Sequence, residues 1–258
     1  MNILCIGDVC GSAGCRLVRQ KLPAFKRLKA IDMVIVNGEN SADGNGLLPA
    51  SAEHLLASGA DVLTGGNHSF QRREAMHYYE ENDRVLRPAN YPDEAPGRGM
   101  VLVDFGYTTV AVISLMGNVY MEPLDCPYRT ADRLTEEARR AGAKVILLDF
   151  HAEATAEKRG LGFYLDGRIS ALFGTHTHVQ TADEQLLPGG TGYITDLGMT
   201  GPIQSVLGVK PELAISKMKT HLPVRFENAD GPCMLNGCLF TVDPASGRCT
   251  GVERVNFS

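Results

Sequence analysis

The side chains best suited to chemistry in this sequence follow short apolar runs, each at the point where the run ends. Five such runs deliver a carboxylate, an asparagine or a histidine: Asp8, the pair Glu39 and Asn40, the pair Asn67 and His68, His151, and the pair His176 and His178. Carboxylate, amide and imidazole groups form a mixed nitrogen and oxygen ligand set, which suits zinc, manganese or iron. The pattern predicts a metal site assembled from distant parts of the chain.

A site for two metals needs a ligand that reaches both of them. Two catalytic metals usually lie ~3.5–4 Å apart, and a carboxylate has two oxygens with which to bridge that distance. Glu39 is the candidate for this role. Glycines beside the candidate ligands, such as Gly7 and Gly66, would let the backbone turn sharply and approach a ligand closely.

Each candidate also has an ordinary structural explanation. Asp8 could cap the helix that follows it, and Asn67 could hold a left-handed turn. A lone His151 is more often a hydrogen-bonded core histidine than a ligand. The H-x-H pair of His176 and His178 is a stronger signal, because alternate residues of a strand share a face. The recurrence of such residues at five strand ends favours the metal interpretation.

The apolar runs are predicted to be strands, and helical patterns alternate with them. We expect strands at Asn2–Ile6, Asp32–Val36, Asp61–Leu63, Val85–Arg87, Met100–Asp104, Thr109–Leu115, Val145–Asp149, Ile169–Phe173, Tyr193–Thr195, Cys233–Val242 and Gly251–Phe257. We expect helices at Cys15–Leu28, Pro49–Ser58, Arg72–Glu81, Thr130–Ala141, between Ala154 and Gly162, and at Pro211–Thr220. This alternation predicts an α/β fold with a largely parallel central sheet and a ligand site at the carboxyl ends of its strands. The ligands from residue 8 to residue 178 must meet, which favours one domain over residues 1–258.

Composition limits the classes of partner. The chain of 258 residues carries a formal net charge of −5, which argues against a protein held on nucleic acid by bulk electrostatics. Seven cysteines without a C-x-x-C pair are typical of reduced thiols in a cytosolic protein. The N-terminus has no basic leader and no apolar stretch is long enough to cross a membrane, so we expect a cytoplasmic protein.

These residues and their neighbours resemble the calcineurin-like metallophosphoesterase superfamily. Its signature is a GD motif, a second acidic motif, GNH, a later histidine and GHxH, and the counterparts here are Gly7-Asp8, Gly38-Glu39-Asn40, Gly66-Asn67-His68, His151 and Gly174 to His178. The chain is most similar to the YmdB-like branch, through the segments NGEN, GGNH, RPANYP, DFHAEATAEK, GTHTHVQTAD, YITDLGMTGP and His221 to Phe226. The resemblance covers the whole chain and implies an αββα sandwich of mixed sheets flanked by helices.

The resemblance also implies a ligand set. A first metal would be held by Asp8, Glu39, Asn40 and His178, and a second by Glu39, Asn67, His151 and His176. Two positions depart from the wider superfamily: Cys10 stands where the first motif usually has histidine, and Glu39 replaces the usual bridging aspartate. In the YmdB-like branch Asn40 is understood to make up for the missing histidine. Cys10 is expected to be a partly buried loop residue rather than a ligand.

The implied activity is hydrolysis of a phosphodiester, with 2′,3′-cyclic nucleotides as substrates and RNA or other phosphodiesters as further candidates. A hydroxide that bridges two divalent cations, iron or manganese in preference to zinc, would attack phosphorus while His68 assists at a phosphate oxygen or the leaving oxygen. Four loop residues are candidates for substrate contacts: Asn90, Tyr91, Asn118 and Thr200. Ordinary loop structure explains Asn90 and Tyr91 equally well.

Two other classes of function stay open. A hydrolase of a non-phosphate substrate, such as an amidohydrolase, also uses H-x-H, but its pair would follow the first strand, where this chain has Asp8. A regulatory protein that binds a nucleotide or RNA could keep the metal site without catalysis, although the Asn67-His68 pair argues against an inactive site. A second copy of the chain is a further candidate partner.

Overall fold

The computed structural model describes residues 1–43 and 45–258 and contains two six-stranded sheets flanked by helices. The helices are α1 (Gly11–Leu28), α2 (Pro49–Ala57), α3 (Arg73–Glu81), α4 (Pro127–Arg140), α5 (Thr155–Tyr164) and α6 (Pro211–Thr220). The strands are β1 (Asn2–Ile6), β2 (Met33–Asn37), β3 (Val62–Thr64), β4 (Met100–Asp104), β5 (Thr109–Met116), β6 (Val145–His151), β7 (Ala171–Thr175), β8 (Gln185–Leu186), β9 (Gly192–Ile194), β10 (Gly201–Pro202), β11 (Cys233–Val242) and β12 (Cys249–Phe257).

Each sheet combines a set of parallel strands with antiparallel strands. In the first sheet β1, β2 and β3 run parallel, β11 joins β1 antiparallel, and β10 and β12 both pair with β11. In the second sheet β5, β6, β7 and β9 run parallel, with β4 and β8 antiparallel at the two edges. The carboxyl ends of two parallel sets are therefore available to build one site.

Alternate residues of the central strands face different layers. Ile3 and Cys5 of β1 pack in the cluster between the sheets, which also contains Val112 and Leu147 of the second sheet. Leu4 and Ile6 face the opposite way and pack with α1. Side chains alternate along a strand, so a strand covered on both faces carries apolar residues on both, as β1 does from Ile3 to Ile6. The sequence expectation of one central sheet is wrong, and the αββα sandwich implied by the resemblance is confirmed.

Most element boundaries agree with the sequence to within a few residues. Helices α1 and α4 begin four and three residues earlier than expected, at Gly11 and Pro127. The brief strand expected at Val85–Arg87 forms only isolated bridges, and the two-residue strands β8 and β10 were not anticipated because such short pairings carry no periodic signal. Among the described residues, no helix is both long and apolar enough to span a membrane.

Candidate metal centre

All seven residues predicted as ligands lie together where strands of both sheets end. Asp8 follows β1, Glu39 and Asn40 follow β2, and Asn67 follows β3. His151 is the last residue of β6, and His176 and His178 follow β7. One oxygen of Asp8, one of Glu39 and one nitrogen of His151 lie within 4.8 Å of one another, and all three residues are buried.

Glu39 lies between two groups of donors and turns one oxygen to each. Its Oε1 accepts a hydrogen bond from the Asn40 amide at 2.8 Å, on the side where Asn40 Nδ2 is 3.3 Å from His178 Nε2. Its Oε2 is 3.5 Å from His151 Nε2 on the other side. A carboxylate that faces two separate donor groups has the arrangement needed to bridge two cations.

One of the two groups consists of Asn67, His151 and His176. The Nε2 atom of His151 is 2.8 Å from Asn67 Oδ1 and 3.1 Å from His176 Nδ1. Atoms bonded to one metal at ~2.0–2.2 Å necessarily lie about this far apart. The group therefore has the spacing of a ligand set.

The other group consists of Asp8, Asn40 and His178. The Oδ1 atom of Asp8 is buried without any hydrogen-bond partner in the part of the chain that the structure describes, and it is 3.8 Å from His178 Nε2. A buried carboxylate oxygen left unpaired is costly unless a cation binds it. Asn40 currently presents its amide nitrogen to His178, and ligation through its oxygen needs only an exchange of the nearly isosteric amide atoms.

Each of the three histidines has a polar partner at the ring nitrogen that faces away from the centre. Nδ1 of His151 bonds the Thr175 hydroxyl at 2.9 Å and Nδ1 of His178 bonds the Leu207 carbonyl at 3.1 Å, while Nε2 of His176 lies 3.2 Å from a carboxylate oxygen of Glu153. A ring that donates a proton outward keeps its other nitrogen free as a ligand. The donor set thus fits a pair of transition-metal ions.

The electrostatics of the cluster favour bound cations. Burial lowers the pKa of His151 to about 3 and also lowers the pKa of His176 and His178, so all three imidazoles are neutral near pH 7. Burial and the nearby Glu39 raise the pKa of Asp8 well above its usual range. Burial would also raise the pKa of Glu39, but the adjacent histidines, with His151 first, outweigh it and lower the value to about 2. A divalent cation would relieve the repulsion between these carboxylates.

A polar network behind the centre was missed by the sequence reasoning. The buried carboxylate of Asp149, on β6, accepts hydrogen bonds from Asn37 at 3.0 Å and from Thr64, and so joins the two sheets. It also accepts the hydroxyl proton of Thr175 at 2.7 Å, which leaves the Thr175 oxygen to accept from His151. Asp149 thereby fixes the His151 ring from behind.

The centre opens into a cleft of about 430 Å³. Five of the predicted site residues line it: Glu39, Asn40, His68, His176 and His178. The cleft also contains Glu153 and the loop residues Leu207, Val209, Phe226 and Asn228, none of which was selected from the sequence. For Glu153 a signal existed, because it lies two residues after His151.

Comparison with known proteins decides the family. The sequence model of the YmdB-like protein family matches residues 4–255. A Bacillus subtilis (strain 168) protein named 2′,3′-cyclic-nucleotide 2′-phosphodiesterase is 45% identical over 255 residues, which cover 99% of this chain and 96% of that protein. This chain belongs to the YmdB-like protein family. The resemblance drawn from its motifs is confirmed.

Solved structures of similar proteins share the whole fold of this YmdB-like chain. A hypothetical protein from Thermus thermophilus superimposes with a TM-score of 0.94 at 39% identity, covering 100% of this chain and 99% of that one. A protein described as a novel phosphatase, from Mycoplasma pneumoniae, also gives a TM-score of 0.94, at 30% identity, covering 100% of this chain and 93% of that one.

The four residues predicted to contact substrate do not line the cleft of this YmdB-like chain. Asn90 is buried, and its amide group bonds Met116 and the Asp125 carbonyl, which ties two loops together. The amide of Asn118 closes its own loop through Leu124. In this conformation neither amide is free to bind a nucleotide.

The other two predicted contacts are also occupied by the protein itself. Tyr91 is half-buried with its ring edge-on to Phe70 at 5.1 Å. Thr200 is fully buried, and its backbone pairs with Asp8 and Cys10 at 2.8 and 2.9 Å. Thr200 therefore holds the loop that carries Asp8. In a loop rich in glycine or proline, the sequence does not show whether a polar side chain faces a ligand or bonds the backbone of the loop itself.

Cys10 lines the cleft without joining the ligand atoms. Its Sγ atom is 3.8 Å from Nδ1 of His178, the ring nitrogen that faces the Leu207 carbonyl. Burial raises the pKa of the thiol well above its usual value, and Asp8 and Glu39 raise it further. The thiol is therefore protonated near neutral pH in this structure.

The Gly66→Ala substitution is expected to lower metal affinity roughly 10- to 100-fold, which is the usual effect of disturbing the residues that orient metal ligands. A Cβ atom on Gly66 would collide with the His151 ring and with Glu39 Oε2. Titration with Mn²⁺ followed by calorimetry measures the change. Gly251→Ala is the matched control, because its Cβ would make only ordinary contact with Thr241, at 3.5 Å. Equal metal affinity in both variants would contradict the expectation.

Proposed function

We propose that this chain is a dinuclear-metal phosphodiesterase that hydrolyses 2′,3′-cyclic nucleotides, with iron or manganese as the metal. The observation that carries the proposal is the placement of Glu39, whose two oxygens face the two donor groups described above. The orphaned Oδ1 of Asp8 supports it. The Bacillus subtilis relative is named for this substrate class.

Two cations bound in this centre would activate a water molecule and neutralise charge on the phosphoryl oxygens. Asp8, Glu39, Asn40 and His178 would hold one, and Glu39, Asn67, His151 and His176 the other. Because the cleft lies over these ligands, a phosphate bound there is in reach of both groups. By analogy with the relative's name, the bond from phosphorus to the 2′-oxygen is broken and a 3′-phosphate remains.

His68 is proposed as the proton donor to the leaving oxygen. Its backbone N–H donates to Glu39 Oε2 at 2.8 Å, and its Nδ1 faces Glu39 Oε1 at 3.1 Å and Asn40 Oδ1 at 2.9 Å. The imidazole lines the cleft and is about one-third exposed, which leaves Nε2 open to a substrate. Burial lowers the pKa of His68, but the hydrogen bond to Glu39 outweighs this and raises it above the usual value. A raised pKa keeps the imidazole protonated to higher pH, which suits a general acid.

The His68→Ala substitution is expected to lower kcat by roughly 10²- to 10⁴-fold, the usual contribution of a general acid. Metal content should stay at the wild-type level, because Nε2 of His68 faces the cleft. Steady-state kinetics and elemental analysis measure the two quantities. His77→Ala, at an exposed position on α3, is the control. Wild-type turnover in His68→Ala, or loss of metal together with rate, would rule out this role.

The proposed activity is tested on the purified protein with Mn²⁺ or Fe²⁺ and a panel of 2′,3′- and 3′,5′-cyclic nucleotides. Metal-dependent release of a 3′-monophosphate from the 2′,3′-cyclic compounds is the expected result. Anomalous scattering from crystals counts and identifies the metals. If both metals are bound and no phosphodiester is cleaved, the protein is a nucleotide-binding module rather than an enzyme.

A further inference from the structure

One side of the cleft is an apolar wall formed by Leu207, Val209 and Phe226. Leu207 is 50% exposed and Phe226 is 46% exposed, although both lie beside the buried ligands of the candidate metal centre. Exposed apolar side chains grouped in a cleft mark binding surfaces more often than isolated ones do. The metal mechanism does not use this wall.

The wall is built by a tight turn whose geometry is unusual for leucine. Val206 and Val209 exchange backbone hydrogen bonds at 2.9 and 3.0 Å around Leu207 and Gly208, which both have positive φ. A leucine in the left-handed region is uncommon, and such outliers concentrate at functional sites. The same turn presents the Leu207 carbonyl to Nδ1 of His178.

The turn also fixes the segment that carries Phe226. Val209 forms a bridge with Asn228, and the amide of Ala229 donates to the Gly208 carbonyl at 2.8 Å. Phe226 comes from the HLPVRF segment noted in the sequence, for which no role had been found. The wall and the ligand His178 are therefore parts of one hydrogen-bonded unit.

We infer that the apolar wall is the nucleobase-binding subsite of this chain, with the base stacked on Phe226. The inference rests on the proposed function and names the part of the substrate that the metal ligands leave unbound. In a 2′,3′-cyclic nucleotide the phosphate and the base are attached to the same ribose. A phosphate bound over the candidate metal ligands therefore places the base one sugar ring away from them. The apolar wall lies next to these ligands in the same cleft.

The side chains of the wall determine which substrates it can distinguish. Leu207, Val209 and Phe226 have no side-chain hydrogen-bonding groups, so the wall can stack on the face of any base but cannot read a base edge. Aromatic stacking of this kind is tolerant of sequence. The wall therefore selects a nucleotide over a phosphodiester without a base and does not itself distinguish the four bases.

The test compares nucleoside 2′,3′-cyclic monophosphates with methyl riboside 2′,3′-cyclic phosphate, which has the same reacting group and no base. For Phe226→Ala we expect KM for the nucleotides to rise roughly 5- to 150-fold, the range for loss of one stacked base. Its KM for the base-free compound should not change. Phe226→Tyr keeps the ring and should restore the KM for nucleotides. Tyr107→Ala removes an exposed aromatic ring outside the cleft and is the control.

Two results would overturn the inference. One is an equal rise in KM for the nucleotides and for the base-free compound in Phe226→Ala, which would mean that the ring only supports the fold. The other is an unchanged KM for the nucleotides in this variant. If the wild type hydrolyses neither cyclic compound, the proposed function fails, and calorimetry decides the subsite separately. Phe226→Ala must then weaken the binding of adenosine 3′-monophosphate and leave that of ribose 5-phosphate unchanged.

Discussion

The Glu39→Gln substitution is expected to remove metal binding and to lower turnover by roughly 10³-fold or more. Metal ions contribute several kcal/mol of charge stabilisation to such reactions, and each 1.36 kcal/mol is about a factor of ten in rate. Glutamine keeps the shape of the side chain but has one oxygen instead of two, so it cannot face both donor groups as ligand. It also leaves the nearby Asp8 without the cations that would balance its charge.

Metal stoichiometry and kcat on a 2′,3′-cyclic nucleotide are measured on the same preparation of Glu39→Gln. Glu53→Gln, at an exposed position of α2, is the matched control and should retain both metals and full rate. Burial of Glu39 makes it necessary to show that the variant is folded, which circular dichroism can do. Two bound metals and metal-dependent turnover in folded Glu39→Gln would contradict the bridging role.

The convergence of the candidate ligands could be anticipated from sequence because these residues occupy the carboxyl ends of regular strands. Asp8 and Glu39 each follow an apolar run and His151 ends a run that only Asp149 interrupts, and parallel topology makes such ends converge. The prediction did not require the correct number of sheets. In the structure β1 to β3 belong to one sheet and β6 and β7 to the other, and both sets end at the same centre.

The division into two sheets could not be read from the alternation of strands and helices. In a single central sheet, helices cover both faces of a strand. In a sandwich, a helix covers one face and the second sheet covers the other. The strand is apolar on both faces in either case. Ile3 faces the second sheet and Leu4 faces α1, but the two residues have the same hydrophobic character. The two-sheet sandwich was predicted only from the family resemblance.

The walls of the cleft could not be predicted from sequence because they come from irregular segments. Leu207 and Phe226 lie in segments without a hydrophobic period, where an apolar side chain gives no sign of its direction. Asn90 shows the converse difficulty. A polar residue in a loop rich in proline suggested a contact with substrate, but its amide satisfies the backbone of neighbouring loops.

A buried ion pair holds the loop that carries two of the predicted ligands, and it too was invisible in the sequence. Lys158 of α5 and Asp196 are both buried, with Nζ 2.7 Å from Oδ2. Asp196 also accepts hydrogen bonds from the backbone and hydroxyl of Thr177, at 3.1 and 2.7 Å. Thr177 lies between His176 and His178, which have φ values of 102° and 64°. Residues in this region persist only where their surroundings constrain them, and Asp196 supplies that constraint.

The Lys158→Met substitution is therefore expected to destabilise the protein by about 3–5 kcal/mol, because it leaves Asp196 as an uncompensated buried charge. For a chain of this size the melting temperature should fall by roughly 6–20 °C. Metal affinity should also fall about 10- to 100-fold, since the loop that aims both histidines loses its anchor. Differential scanning calorimetry and Mn²⁺ titration below the lowered melting temperature measure the two effects.

Lys29→Met is the matched control for this prediction. Lys29 pairs with Glu253 at the same distance of 2.7 Å, but the two side chains are 36% and 55% exposed. Exposed pairs contribute about 0–1 kcal/mol, because water screens the charges and solvates whichever partner remains. If Lys158→Met were no less stable than Lys29→Met and bound Mn²⁺ as tightly, the buried pair would not be the element that holds the histidine loop. Normal stability with weakened Mn²⁺ binding would instead assign Lys158 to positioning alone.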